Sequence, residues 1–130
     1  MLYKDEGTKV CKHEEVLQLT NQLITYVNDL ERVFHDSSLE PSHTKQYFTF
    51  VKKETEQLFS ILKKWEQIVD ELITAGYLTF PVSMLQATKQ NITALIMNSY
   101  YKDVRRRKYK EINRSVIYAL HSLVREINDE

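Results

Sequence analysis

Apolar residues return every three or four positions along most of this chain, the spacing that places side chains on one face of an α-helix. Four such stripes occur, separated by short polar or turn-forming segments. They predict helices over about residues 12–35, 43–75, 81–101 and 107–128. Because amphipathic helices with short connections favour antiparallel neighbours, residues 1–130 are predicted to form one all-α domain, an up-down-up-down antiparallel four-helix bundle.

The second stripe is the most regular, because its spacings alternate between three and four without a break. Its members are Phe48, Val51, Thr55, Leu58, Leu62, Trp65, Val69 and Leu72. A helix over 43–75 would be roughly 50 Å long and would exceed the other three, so it either overhangs the bundle or bends. Ser42 is the predicted N-cap, and Gly76 stands where a C′ glycine is expected.

The third helix is expected to begin near Pro81, with Ser83 and Gln86 as a capping box.

Aromatic side chains are expected to fill the layers of the core, and a ligand pocket lined by them is the less favoured alternative. The set comprises Phe34, Phe48, Phe59, Trp65, Tyr100 and Tyr118.

Composition agrees with long helices, since the chain has only two glycines and two prolines in 130 residues. Average usage would give about nine glycines and six prolines. So few turn-forming residues argue against a many-stranded β protein.

The formal net charge is zero, so the chain as a whole is not a polycation built for nucleic acid.

The expected location is the cytoplasm. Cys11 is the only cysteine, which leaves no intramolecular disulfide and no Cys-based zinc site, and favours a reducing compartment. The first fifteen residues lack the apolar core of a signal peptide, and no apolar run approaches 18 residues, so no membrane partner is expected.

Candidate catalytic and metal-binding residues give no recognisable constellation. The one Glu-x-x-His motif, Glu40 to His43, falls in a predicted loop, whereas a di-iron bundle needs such pairs on inward helical faces. Cys11 and His13 lie in a segment expected to fray, and His121 is interpreted as a structural histidine bordering the core. We therefore predict no enzyme activity, no cofactor and no metal.

The stretch "KDVRRRKYK", Lys102 to Lys110, carries six bases and one acid. Bases at the start of helix 4 oppose the helix dipole, and an anion bound at the free N–H groups would relieve this opposition. The candidate anion-binding residues are Arg105, Arg106, Arg107, Lys108 and Lys110, with Tyr101 and Tyr109 able to stack on bases. A solvated turn is the favoured interpretation, because so short a patch makes few phosphate contacts.

A series of residues in the last third of the chain, with a few in helix 2, forms a recognisable pattern. It comprises Ser99-Tyr100, the basic run, Tyr109-Lys110, Ile112, Ser115-Val116, Tyr118, Leu120-His121, Glu126 and Ile127, together with Trp65 and Glu71-Leu72-Ile73. This pattern resembles the YppE-like family of small uncharacterised proteins from Bacillus-type Gram-positive bacteria. The resemblance implies an up-down-up-down four-helix bundle, and it implies no reaction and no catalytic residue.

Three functions follow as expectations. The favoured one is a non-enzymatic cytoplasmic bundle acting as a protein-interaction module, with an unknown protein partner or a second copy of the chain covering any apolar turns that helix 2 exposes. The alternative is weak nucleic-acid or anion binding through the basic turn between helices 3 and 4. The third is an enzyme with a pocket between the helices.

Overall fold

The computed structural model describes the backbone of residues 2–129 and the side chains of residues 11–129. Within these residues the chain forms four α-helices and no strand. They are α1 (Leu2–His35), α2 (Lys45–Thr74), α3 (Val82–Tyr101) and α4 (Arg106–Asn128). The predicted all-α four-helix bundle is confirmed.

The predicted helix boundaries agree with the structure to within two residues, except at the start of α1. That helix begins at Leu2 rather than near Lys12, because a helix that has already formed extends by one hydrogen bond per residue and needs no apolar stripe to do so. α1 therefore has 34 residues and α2 has 30, so the expectation that the second helix is the longest is wrong. α2 is one continuous helix of about 45 Å.

The helices do not contact one another equally. Each packs against its two neighbours around the bundle, and α1 also contacts α3 across the short diagonal. Among the described residues, no Cα atom of α2 lies within 8 Å of a Cα atom of α4. The cross-section is thus a diamond, with α1 and α3 at its centre and with α2 and α4 at its outer corners.

The centre of the core lies around Trp65, which is fully buried in the second half of α2. Its indole N–H donates to Oγ1 of Thr20 at 2.9 Å, and the Thr20 hydroxyl donates to the carbonyl of Val16 at 2.6 Å. This chain of hydrogen bonds satisfies the polar edge of the indole inside an apolar core. The partner expected for a buried tryptophan is therefore present.

The predicted aromatic core is correct for Trp65 and Tyr100 and wrong for three other residues. Phe34 is half-buried, whereas Phe48, Phe59 and Tyr118 are exposed. Phe59 and Tyr118 each stand one position away from the apolar seam of their helix, so they flank the core. Phe48 continues the seam of α2, and the neighbouring helices leave it uncovered.

The segment 75–81 closes one end of the bundle. Gly76 has φ of 81°, and the N–H groups of Gly76 and Tyr77 donate to carbonyls in the last turn of α2 at 3.0 and 2.9 Å. These two bonds form a Schellman motif, so the predicted role of Gly76 is confirmed. Leu78 and Phe80 then fold back into the core, a contribution that the sequence pattern did not predict.

Two predicted helix caps are wrong. The N-cap of α2 is Thr44, whose Oγ1 accepts a hydrogen bond from the Tyr47 N–H at 3.1 Å, because the helix begins two residues later than expected. Ser42 instead accepts from the N–H of Thr44 at 3.2 Å. Pro81 is the N-cap of α3 and no side chain caps that helix, so Ser83 and Gln86 form no capping box.

Candidate functional site

The five candidate anion-binding residues surround the start of α4. Arg105 is its N-cap with no side-chain cap, and the other four bases lie in its first turns; the side chains of Arg105, Arg106, Arg107, Lys108 and Lys110 are all exposed. Only Arg107 has an acidic partner in the described part of the chain, Glu111 at 3.9 Å. Because successive helical residues point about 100° apart, Arg106 and Lys108 point in different directions, whereas Lys110 shares a face with Arg106.

Lys102, at the beginning of the same basic run, already has partners inside the protein. It takes the left-handed conformation with φ of 52° at the C-cap of α3. Its Nζ donates to the carbonyls of Asp36 and, at 2.9 Å, of Leu39. Lys102 therefore stabilises the loop between α1 and α2. Because its ammonium group is engaged there, it does not contribute to the candidate anion site.

The carboxylate of Asp36 organises this loop. It accepts hydrogen bonds from the Ser38 hydroxyl at 2.6 Å and from the Ser38 N–H at 3.0 Å. These bonds, aided by the charge of Lys102, lower the pKa of Asp36. The loop that follows His35 and contains His43 is thus ordered by its own hydrogen bonds and by Lys102.

Tyr109 does not have the role predicted for it. Its side chain is 2% exposed, stacks on Phe34 with ring centroids 4.0 Å apart, and shares a 2.6 Å hydrogen bond with the Ser99 hydroxyl. Burial raises the pKa of Tyr109 to about 12, although the Ser99 bond opposes this shift. Tyr109 ties α4 to α1 and α3 and is not available to stack on a base.

The remaining candidate residues for chemistry are scattered. Cys11 is exposed on α1 and His13 is buried, so the two side chains do not share an environment, and Cys11 lies within a helix rather than in a frayed segment. His121 is exposed, so its predicted place beside the core is wrong. Glu40 and His43 lie in the loop before α2. No group of three His, Cys, Asp or Glu side chains within residues 11–129 could hold a metal ion.

The most distinctive surface is an apolar groove between α2 and α3, of about 540 Å³. We call it the α2–α3 groove. Its apolar wall consists of Phe48, Val51, Phe59, Ile96, Met97 and Tyr101. Phe48 is 58% exposed and Phe59 is 40% exposed, although these are among the most hydrophobic side chains in the protein. The groove therefore presents Phe48, Phe59 and Met97 to solvent, whereas Val51 and Ile96 line it as buried side chains.

At the N-terminal end of α2, tyrosine side chains connect the two helices of this groove. The Tyr47 hydroxyl donates to the carbonyl of Tyr100, and the ring of Tyr47 lies edge-on to Tyr101 at 5.4 Å. Phe50 lies edge-on to Tyr100 at 6.2 Å. Burial raises the pKa values of both Tyr47 and Tyr100, so both phenols are neutral at physiological pH. The groove is consequently built on fixed helices.

The charged rim of the α2–α3 groove is mainly basic. Lys52 and Lys53 lie along it with Glu56, and Lys45 stands beside Phe48 at the adjoining end with His43. All three lysines are exposed, and none forms an ion pair with another side chain that the structure describes. Three positive charges therefore stand against one negative charge.

This groove was not predicted from the sequence, although part of its signal is present there. Phe59 follows Leu58, which belongs to the heptad seam, so a helical wheel places Phe59 on the flank. Met97 similarly lies one position after the buried Ile96. Two apolar flanks on consecutive antiparallel helices predict a shared surface, which the expectation of a filled aromatic core obscured.

No helix in the described part of the chain is long and apolar enough to cross a lipid bilayer.

Comparison with known proteins extends the resemblance over most of the chain. The family model described as a bacterial domain of unknown function (DUF1798) matches residues 20–127. The uncharacterised protein YppE of Bacillus subtilis (strain 168) is 24% identical over 118 residues, covering 90% of this chain and 95% of YppE. The residues matched by the family model, 20–127, include much of α1 and the segment from residue 98 onward.

Two solved structures of Bacillus subtilis YppE, both structural-genomics targets, share the fold. The crystal structure gives a TM-score of 0.72 at 22% identity and covers 89% of this chain and 94% of that one. The solution NMR structure gives a TM-score of 0.73 at 23% identity, with coverage of 88% and 94%. The bundle inferred from the apolar stripes is therefore also the fold of this relative.

Proposed function

The chain belongs to the bacterial DUF1798 family of unknown function, and we propose that it acts as a non-enzymatic protein-interaction module whose binding surface is the α2–α3 groove. The observation that carries this proposal is the exposure of Phe48, Phe59 and Met97 along one groove. A contiguous apolar surface with a polar rim is typical of a site that another molecule covers. The proposed location is the cytoplasm, supported by the single cysteine.

The shape of the groove favours a protein segment over a small molecule. Small-molecule sites commonly bury 70–90% of the ligand, roughly, inside a concave pocket. Here Phe48 and Phe59 stand partly in solvent at positions eleven residues apart on α2, which corresponds to about 16 Å. An elongated open surface of this length matches the apolar face of a short helix laid along it.

The test is a comparative pull-down from the native cytoplasm with the tagged protein and a Phe48→Ala, Phe59→Ala variant. We expect at least one protein that the wild type retains and the variant loses, because truncating both rings removes the two aromatic anchors. The matched control is Tyr118→Ala, which removes a 63% exposed aromatic ring from α4, outside the groove. If the retained proteins are the same for all three baits, or if Tyr118→Ala loses the same protein, the groove is not the binding surface.

Anion or nucleic-acid binding through the basic turn is the second candidate. Four of its five bases, all except Arg107, have no acidic partner among the described side chains, and the N-terminus of α4 has no side-chain cap. An Arg105, Arg106, Arg107→Ala variant belongs in the same pull-down, with nucleic acid measured in each eluate. Nucleic acid retained by the wild type and lost only by this variant would establish the alternative. Unchanged or absent nucleic acid would leave the turn as a solvated connection.

A further inference from the structure

We infer that the occupant of the α2–α3 groove is an amphipathic helix of another protein, about three turns long, with acidic residues flanking its apolar face. This inference rests on the proposed function and adds the chemistry of the partner. It depends on three features of the groove: its length, the spacing of its aromatic anchors and the sign of its rim.

The length and anchor spacing set the size of the partner. Phe48, Val51 and Phe59 succeed one another on α2 over about 16 Å, with Met97 opposite them on α3. An α-helix of about eleven residues covers the same distance and presents apolar side chains at positions i, i+3 or i+4, and i+7. Met97 adds an adaptable thioether contact, which suits an apolar helical face of varied shape.

The rim sets the charge of the partner. Lys52 and Lys53 lie beside the apolar wall and Lys45 extends the positive edge, whereas Glu56 is the only acid of the rim. The three lysines are exposed and form no ion pair within residues 11–129, so they are free to meet carboxylates of a partner. Glutamates beside the apolar stripe of a docked helix would face them, which favours encounter and orients the helix.

The same rim argues against a second copy of this chain in the groove. A symmetric dimer brings one patch against an identical patch. Pairing two copies through the groove would bring together two rims that carry the same excess of positive charge. Repulsion between like charges disfavours this arrangement, so an acidic partner fits the surface better.

The test uses three synthetic helical peptides with one apolar stripe and with flanks of glutamate, glutamine or lysine. Binding to the full-length protein is measured by fluorescence anisotropy at low ionic strength. We expect the glutamate peptide to bind about tenfold more tightly than the lysine peptide, because two to three ion pairs at an exposed rim each contribute modestly. Added salt should reduce this difference, since it screens exposed charges.

Reversing the charge of two rim lysines tests whether the rim sets the preference between the peptides. In a Lys52→Glu, Lys53→Glu variant, the preference should invert so that the lysine peptide binds more tightly. The matched control is Arg114→Glu, Arg125→Glu, which makes the same change of net charge at two exposed positions of α4 outside the basic turn and should leave the preference intact. If the control inverts the preference as strongly, the effect comes from net charge and the inferred rim is overturned.

The remaining outcomes separate this inference from the proposed function. Equal binding of all three peptides, lost in Phe48→Ala, Phe59→Ala, would retain the groove as a docking site and overturn the acidic partner. No saturable binding of any peptide up to about 1 mM would overturn the inferred helix, while the pull-down decides the groove independently. A dimer in light scattering that becomes monomeric in Phe48→Ala, Phe59→Ala would assign the groove to a second copy and overturn the inference.

Discussion

The first turn of α2 and the rest of the helix share one apolar pattern and have different surroundings. From Val51 to Leu72 the seam residues are buried, and Trp65 has its hydrogen-bond partner inside the core. Near its start, Phe48 continues the same seam and is mostly exposed, and Phe59 stands on the flank in solvent. A regular apolar period therefore identifies the face that prefers burial, and the neighbouring elements decide whether that face is covered.

The neighbours of α2 account for the difference. Because α2 lies at an outer corner of the diamond, α1 and α3 are the only helices that contact it among the described residues. Near its C-terminal end, segment 75–81 adds Leu78 and Phe80 to the core. Near its N-terminal end, segment 36–44 contributes only the half-buried Leu39. One end of the bundle is thus closed by its own loop, whereas the other leaves aromatic rings uncovered.

The largest effect is expected at the centre of the buried part of α2. Trp65→Ala removes a fully buried indole and leaves a cavity, so the free energy of unfolding should fall by about 3–5 kcal/mol. The variant also leaves the Thr20 hydroxyl without the indole donor. Chemical denaturation followed by circular dichroism measures the change. A loss of stability below about 1 kcal/mol would mean that α2 is not tightly packed around Trp65.

A smaller effect should show that the exposed rings do not result from loose packing of that end of the bundle. Tyr109 joins α4 to Phe34 of α1 and Ser99 of α3 there, so Tyr109→Phe should lower the free energy of unfolding by about 1 kcal/mol through the lost hydrogen bond. If the variant is as stable as the wild type, the Ser99 bond makes no net contribution to packing at this end.

The same residue makes the stability depend on alkaline pH. A tyrosine in the unfolded chain ionises near pH 10.0, whereas burial raises the pKa of Tyr109 to about 12 in the folded protein. The unfolded state therefore releases its proton first, and the free energy of unfolding decreases as the pH rises from 10 towards 12. In Tyr109→Phe, the free energy of unfolding should decrease less steeply over this pH range. Tyr47 and Tyr100, whose pKa values are also raised, account for part of the decrease that stays. Equal slopes in both proteins would contradict this assignment.

The fold was predictable from local pattern, and the candidate site was not. The period of the apolar stripes located the helices, and Gly76 marked the end of α2, because both signals act within one or two turns of the chain. The place of Phe48 depended on how far α2 extends from its neighbours, which no local signal records. Tyr109 stood within a basic run and appeared available to ligands, yet its position on the helix turns it inward beside Phe34.

The last comparison uses two consecutive residues of α2, Leu58 and Phe59. The smallest effect of all is expected for the second of them. Leu58→Ala empties a buried position and should lower the free energy of unfolding by about 2–5 kcal/mol. Phe59→Ala removes a larger side chain that stands partly in solvent, and the higher helix propensity of alanine offsets some lost contact, so we expect a change within about 0.5 kcal/mol. Denaturation midpoints measured in parallel give the difference. A loss near that of Leu58→Ala would show that Phe59 supports the bundle itself, whereas near-neutrality would leave binding as the reason for an exposed phenylalanine at this position.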